Sequence, residues 1–143
     1  MNLIAWSQNM TPEAATAAGA ILVSKDELFA QADILTIHLV LSSRTRGLVG
    51  AAELERMKPT ARLINASRGP IVEEQALISV LMNKQIAGAV IDVFDIEPLP
   101  PPHPFRALAN VLATPHIGYR IAGSLQDVLR GDRLKYSAVA RYH

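Results

Sequence analysis

Short apolar runs alternate along this chain with segments whose apolar positions recur every three or four residues. Leu3-Ile4-Ala5-Trp6 reads as a buried strand. Thr11 then caps a helix with Pro12 in its first turn, where a fixed φ suits the helix start, and Gly19 ends it. Ala20–Val23 reads as a second strand. Ser24, with Glu27 three residues on, forms a capping-box pattern for a helix running to Gln31. Asp33–Leu39 is apolar on both faces through Ile34, Leu35 and Ile37, as a strand of a parallel sheet must be. Met57-Lys58-Pro59 breaks the chain before a strand at Arg62–Asn65. Glu73–Asn83 sets Ala76, Leu77, Val80 and Leu81 along one helical face. Strand Ala87–Val93, a proline-rich corner at Pro98–Pro104 and strand Asn110–Ala113 follow.

Strands alternating with helices imply an α/β fold, a parallel sheet with helices on both faces. Ligands of such sheets bind beyond the carboxyl ends of the strands. That edge collects the chemistry. Arg68 follows one expected strand, Asp92 and Glu97 end another, and His116 follows a third. An imidazole can give or take a hydroxyl proton near neutral pH. A carboxylate hydrogen-bonded to it would hold its orientation and favour its charged form. A guanidinium can grip a substrate carboxylate with two parallel hydrogen bonds. Arg68, Glu97 and His116 are therefore the candidate catalytic residues, a set suited to hydride transfer on a small acid.

Composition narrows the field without deciding it. The 143 residues suit one domain, half of them are apolar and 19% are charged. A net charge of +1 offers no global case for nucleic acid. There are no cysteines, hence no disulfides or thiolate chemistry. No stretch approaches the ~18 apolar residues of a membrane span, and Met1–Met10 does not read as a secretory signal. The expectation is a cytoplasmic protein with no membrane partner. The histidines lack ligand spacing, so no metal is expected. His38 reads as packed or backbone-bonded, His103 as a surface residue of the proline-rich loop, and Trp6 as core.

Three stretches carry a resemblance: Asn65-Ala66-Ser67-Arg68-Gly69 behind Met57-Lys58-Pro59, the Asp92–Pro98 segment behind Gly88-Ala89, and Thr114-Pro115-His116-Ile117-Gly118. From about Leu3 to Tyr119 the chain resembles the C-terminal part of the nucleotide-binding domain of the D-isomer-specific 2-hydroxyacid dehydrogenases, a group that includes phosphoglycerate and glyoxylate/hydroxypyruvate dehydrogenases. The resemblance implies an oxidoreductase using NAD on a small 2-hydroxy or 2-keto acid. It assigns carboxylate binding to Arg68, acid/base work to His116 and the pairing carboxylate to Glu97. Asp92 would hold the nicotinamide carboxamide. Further cofactor contacts would come from Ser7, His38, Leu39, Val40, Thr45, Ala66 and Gly118. The family commonly dimerises through this domain, so a homodimer or association with an intact relative is expected.

Departures from the family pattern bear on each of these expectations. Val40 stands where proline is usual, and Glu73 where aspartate is common. Ser7 aligns with the acidic residue that usually binds the ribose hydroxyl, which makes NADP the alternative cofactor. No G-x-G-x-x-G occurs in the 143 residues. The expected fold is thus an incomplete Rossmann-like sheet lacking its first strand and glycine-rich turn. Its neighbours Leu3–Trp6 and Asp33–Leu39 would then each lack a partner. The domain reading is a partial NAD(P)-binding unit at 1–119 and a divergent, helical tail at 120–143, around Leu125, Val128 and Leu129. The chain reads as a fragment with negligible turnover alone. The alternative is a non-catalytic remnant or a dimerisation or nucleotide-binding module.

Overall fold

The computed structural model describes residues 2–118 together with the backbone of Tyr136–Arg141. Four helices and seven strands alternate among them: β1 (Asn2–Ala5), α1 (Pro12–Ala17), β2 (Ile21–Leu22), α2 (Lys25–Gln31), β3 (Ile34–His38), α3 (Ala51–Glu55), β4 (Arg62–Asn65), α4 (Glu74–Met82), β5 (Gly88–Ile91), β6 (Val111–Ala113) and β7 (Tyr136–Arg141). Single 3₁₀ turns lie at Gly69–Ile71 and Pro104–Arg106.

Local chemistry starts these helices where the sequence places them. Thr11 Oγ1 accepts the Ala14 N–H at 3.2 Å, and Gly19 leaves α1 with a φ of 72°. The capping box of α2 is reciprocal: Ser24 Oγ accepts from Glu27 N, and Glu27 Oε2 accepts from Ser24 N. Helix α3 is absent from the sequence reading. It is a short element with one fully buried apolar anchor, Leu54, too brief to show periodicity.

All seven strands are parallel, in the order β2-β1-β7-β3-β4-β5-β6. Two expectations are corrected here. The sheet does not leave β1 and β3 without a shared neighbour, because β7 lies between them, with Ile4 and Leu35 both opposite Ala138. Residues 136–141, expected in a helical tail, are strand; the helix expected around Leu125–Leu129 lies outside the described residues. The physical reason is strand pairing: two parallel strands with open ladders accept a third, which satisfies both rows of backbone donors and acceptors.

The core lies between the sheet and α2, α3 and α4, with Leu28, Leu35, Leu54, Leu63, Ile71, Leu77 and Leu81 almost wholly buried. The direction of connection reverses between β1–β2 and β3–β4–β5–β6. Right-handed crossovers then place α1 on the face opposite α3 and α4. Such a reversal opens a crevice at the carboxyl edge, where β1, β3, β4, β5 and β6 deliver Ser7, His38, Ala66, Asp92 and Thr114.

Candidate active site

Asn65, the last residue of β4, organises the loop that bears Arg68. Its buried side chain donates from Nδ2 to the Arg68 carbonyl at 3.0 Å and accepts the Ser67 N–H on Oδ1 at 3.1 Å. This local ring explains why the asparagine belongs three residues before the arginine. Ser67 Oγ donates to the Ile37 carbonyl at 2.7 Å, tying the loop to the end of β3. Arg68 itself is exposed, its Nη1 donating to the Ser67 carbonyl at 2.6 Å. Gly69 packs so closely on the next loop that a Cβ there would lie 2.2 Å from the Phe94 carbonyl carbon. That closeness is why glycine follows the arginine.

Beyond β5, Asp92 is buried and its carboxylate is consumed by the β6 loop. Oδ1 accepts the Thr114 hydroxyl at 2.5 Å and the Ile117 N–H at 2.9 Å; Oδ2 accepts the Gly118 N–H at 2.6 Å. Burial pushes its pKa up, but these hydrogen bonds and the nearby His116 outweigh burial and hold it below the usual value. A Cβ on Gly118 would lie 2.7 Å from Asp92 Oδ2, so the amide could not approach as it does with a side chain present. Thr114, which the sequence reading passed over, is therefore part of the site's frame.

Within that fastened turn His116 has a φ of 55°. Left-handed backbone at a non-glycine residue costs about 1–3 kcal/mol and persists only where the surroundings enforce it. Here the enforcing groups are the Asp92 hydrogen bonds and the His116 N–H donated to the Thr114 carbonyl at 3.0 Å. His116 Nδ1 lies 2.9 Å from Glu97 Oε2, with the two side chains 39% and 38% exposed, paired yet within reach of a ligand. Glu97 is itself steadied by accepting the Phe94 N–H on Oε1 at 3.1 Å. The His116 hydrogen bond is the main reason its carboxyl stays below the usual range; burial opposes, and the Phe94 amide assists. The peptide joining Glu97 to Pro98 is cis.

The expected cofactor residues divide into two groups. Leu39, Val40 and Thr45 line a cavity of about 120 Å³ with Trp6, Gln8, Ser42, Arg44 and Leu48, beyond the ends of β1 and β3. Thr45 supports its wall: its hydroxyl donates to the Val40 carbonyl at 2.7 Å and accepts the Ser42 N–H at 2.8 Å. Trp6, expected in the core, is only half-buried and lines this slot. Ser7 is buried at the end of β1, and His38, exposed at the end of β3, bonds through Nε2 to Thr36 Oγ1 at 2.9 Å. The second group, Ala66, Asp92 and Gly118, meets beside His116, with the Ala66 Cβ 3.4 Å from where a Gly118 Cβ would stand.

A larger cavity of about 760 Å³ opens beside β6, lined by Glu97 and His116 and by apolar walls from Phe94, Leu99, Phe105 and Leu112. Arg68 does not line it. His103 was expected at the surface and is not there: its side chain is only 14% exposed, and Nε2 lies 3.1 Å from Glu74 Oε1. The proline-rich loop folds back on α4, which a reading by chain distance has no means to see. Among the described residues there is no cluster suited to a metal ion, and no helix long and apolar enough to cross a membrane.

A doubly wound parallel sheet with its polar chemistry gathered at the carboxyl edge is the architecture of dinucleotide-binding domains. Residues 1–118 match the family model described as D-isomer specific 2-hydroxyacid dehydrogenase, NAD binding domain, and the chain belongs to that family. It is 39% identical over 142 residues to a D-3-phosphoglycerate dehydrogenase of Synechocystis sp., covering 92% of this chain and 26% of that protein. It is 44% identical over 116 residues to a glyoxylate reductase of Aeropyrum pernix, covering 81% of this chain and 35% of the relative. The crystal structure of a phosphoglycerate oxidoreductase from Vibrio cholerae superposes with a TM-score of 0.75 at 39% identity, covering 82% of this chain and 38% of that one. The chain thus spans about a quarter to a third of the length of these curated relatives.

Proposed function

We propose that these residues form the acid/base and cofactor-binding part of an enzyme interconverting 2-hydroxy and 2-keto acids. The observation that carries this reading is the Glu97–His116 pair, 2.9 Å apart on a turn fastened by Asp92. An ionised carboxylate has no proton to give, so the imidazole donates from Nδ1 and proton exchange with the substrate falls to Nε2. Arg68, exposed on its ordered loop, would bind the substrate carboxylate. Nicotinamide, when bound, would supply or take up the hydride.

The residues present fit the two ends of a dinucleotide. The apolar slot at Trp6, Leu39 and Val40 suits a flat base, and the Ala66–Gly118 side of the edge lies beside His116. Asp92 uses three of about four acceptor positions internally, which leaves Oδ2 room for one more donor such as a carboxamide. NAD is the family's cofactor. Ser7 in place of a carboxylate supports NADP as the alternative, since it would not repel a 2′-phosphate.

Alone, the 143 residues are proposed to turn over negligibly, because they contain no glycine-rich turn to hold a pyrophosphate. Residues 1–119 are read as the partial cofactor-binding unit and 120–143 as a divergent tail that contributes β7 to its sheet. Association with a second copy or an intact relative, and a cytoplasmic site of action, belong to the same reading. A non-catalytic remnant is the competing reading, with a dimerisation or nucleotide-binding module as its variant, supported by the larger cavity being lined by the pair but not by Arg68.

Titrating NADH and NADPH into the purified chain, followed by nicotinamide fluorescence, separates the two. Val40 is 68% exposed, so Val40→Asp alters the slot without disturbing the core. Saturable binding weakened about tenfold or more by Val40→Asp (about 1.4 kcal/mol) supports the enzyme reading. No binding by a folded chain favours the remnant.

A further inference from the structure

The loop bearing Glu97 and the loop bearing Arg68 touch at two places. One is the Gly69 contact with the Phe94–Asp95 backbone. The other is polar: His103, six residues beyond Glu97, meets Glu74 in the first turn of α4, six residues beyond Arg68. Both side chains are largely buried, at 14% and 19% exposure. His103 Nδ1 accepts the Phe105 N–H at 3.3 Å, which places the proton on Nε2 and directs it to Glu74 Oε1. The ring also packs on Phe105, centroids 4.9 Å apart, and Phe105 is buried in the core cluster.

The stretch between Glu97 and His103 is drawn shut by Arg106. Its Nε donates to the Pro100 carbonyl at 2.9 Å and its Nη2 to the Leu99 carbonyl at 2.5 Å. Displacing His103 would therefore pull on a loop tied together by these bonds, with Glu97 at its other end. Asp95 also faces Glu74 from this loop, with Arg46 opposing their repulsion; burial is the main reason the Asp95 carboxyl titrates above its usual range, with Glu74 second.

We propose that the His103–Glu74 pair is a positioning staple that aims Glu97 at His116, a role that rests on the acid/base reading of that pair. His103 and Glu74 act through Glu97 and are not themselves catalytic residues. The geometry has a specific consequence. The two histidines hold opposite tautomers, His116 protonated on Nδ1 by its bond to Glu97 and His103 protonated on Nε2 by its bond to Glu74.

Imidazole nitrogen NMR of the isotope-labelled chain, recorded above the pH range in which ordinary histidines titrate, reads both tautomers directly. The native chain is expected to show His116 as Nδ1–H and His103 as Nε2–H. Glu74→Ala should abolish the Nδ1–H signature of His116, whereas Glu74→Gln, whose amide oxygen still accepts from His103, should keep it. Retention of Nδ1–H at His116 in a folded Glu74→Ala chain overturns the staple. If Glu74→Ala fails to fold, His103→Phe preserves the ring packing and removes the polar tie, and the same retention overturns the proposal. A native chain without Nδ1–H at His116 gives a different failure: the acid/base pairing itself is wrong, and the staple has nothing to aim.

Discussion

Asp92 fastens the turn that carries His116, accepting the backbone N–H groups of the two residues that follow the histidine, Ile117 at 2.9 Å and Gly118 at 2.6 Å. The histidine sits at a φ of 55°, so part of what Asp92 gains from its hydrogen bonds offsets left-handed backbone. Asp92→Asn puts an amide N–H where a carboxylate oxygen met a donor. We expect it to destabilise the chain by about 2–3 kcal/mol, the cost of leaving buried donors unsatisfied, as a lowered denaturation midpoint with an unchanged slope.

The same carboxylate sets an acid limb. Its pKa is lower folded than unfolded, so the folded chain binds the proton less readily. The resulting stability is fully present above the ordinary aspartate value of ~3.9 and is lost as pH falls through the lower folded value. Denaturation midpoints measured down this range should fall more steeply in the native chain than in Asp92→Asn. Equal slopes would mean that Asp92 is not held ionised by its neighbours.

Gly69→Ala tests the closeness of the two active-site loops. A Cβ 2.2 Å from the Phe94 carbonyl carbon meets backbone, which cannot rotate away as a side-chain tip would. A loss of about 3 kcal/mol or more is expected, since forced overlap in a packed site commonly costs 1–3 kcal/mol and occasionally more. A change within experimental error would show that the loops part easily.

Ser24→Ala removes a reciprocal capping box far from the site. About 1 kcal/mol of stability should go, with cofactor titrations unaltered. A change in nucleotide affinity would reveal coupling from α2 to the carboxyl edge.

Ala138→Pro probes the central strand. Ala138 lies opposite both Ile4 and Leu35, and proline in mid-sheet deletes a ladder hydrogen bond. The expected outcome is loss of amide exchange protection in β1 and β3 with β4 and β5 spared. Unchanged protection in β1 and β3 would mean that neither strand depends on β7.

Much of this was legible in the chain itself. The helices announce their starts because capping is chemistry between residues three apart: Thr11 with Ala14, Ser24 with Glu27. Strand β4 was readable to the residue, and β3 and β5 to within a residue or two at each end, because each centres on a short run of apolar residues, Leu63-Ile64, Ile34-Leu35 and Ala89-Val90-Ile91. The pairing of Glu97 with His116 was also legible, through the short motifs that carry the family resemblance, and it agrees with the rule that one sheet edge gathers strand ends.

What stayed hidden depends on contacts across long stretches of chain. His103 looked like a surface residue because its partner, Glu74, is 29 positions away and is reached only when the proline-rich loop folds onto α4. Asp92 read as a ligand-binding carboxylate, while the structure spends most of its hydrogen-bonding capacity on Thr114, Ile117 and Gly118, more than twenty residues on. The sheet's centre was open in the sequence and is occupied by Tyr136–Arg141, since pairing depends on unsatisfied backbone groups, which every residue type carries alike. The sequence by itself therefore determined the local starts and stops, the buried faces and the kinds of chemistry at the edge. Tertiary structure decided which of those groups face one another and which are consumed internally, because burial and hydrogen bonding are settled between segments rather than along them.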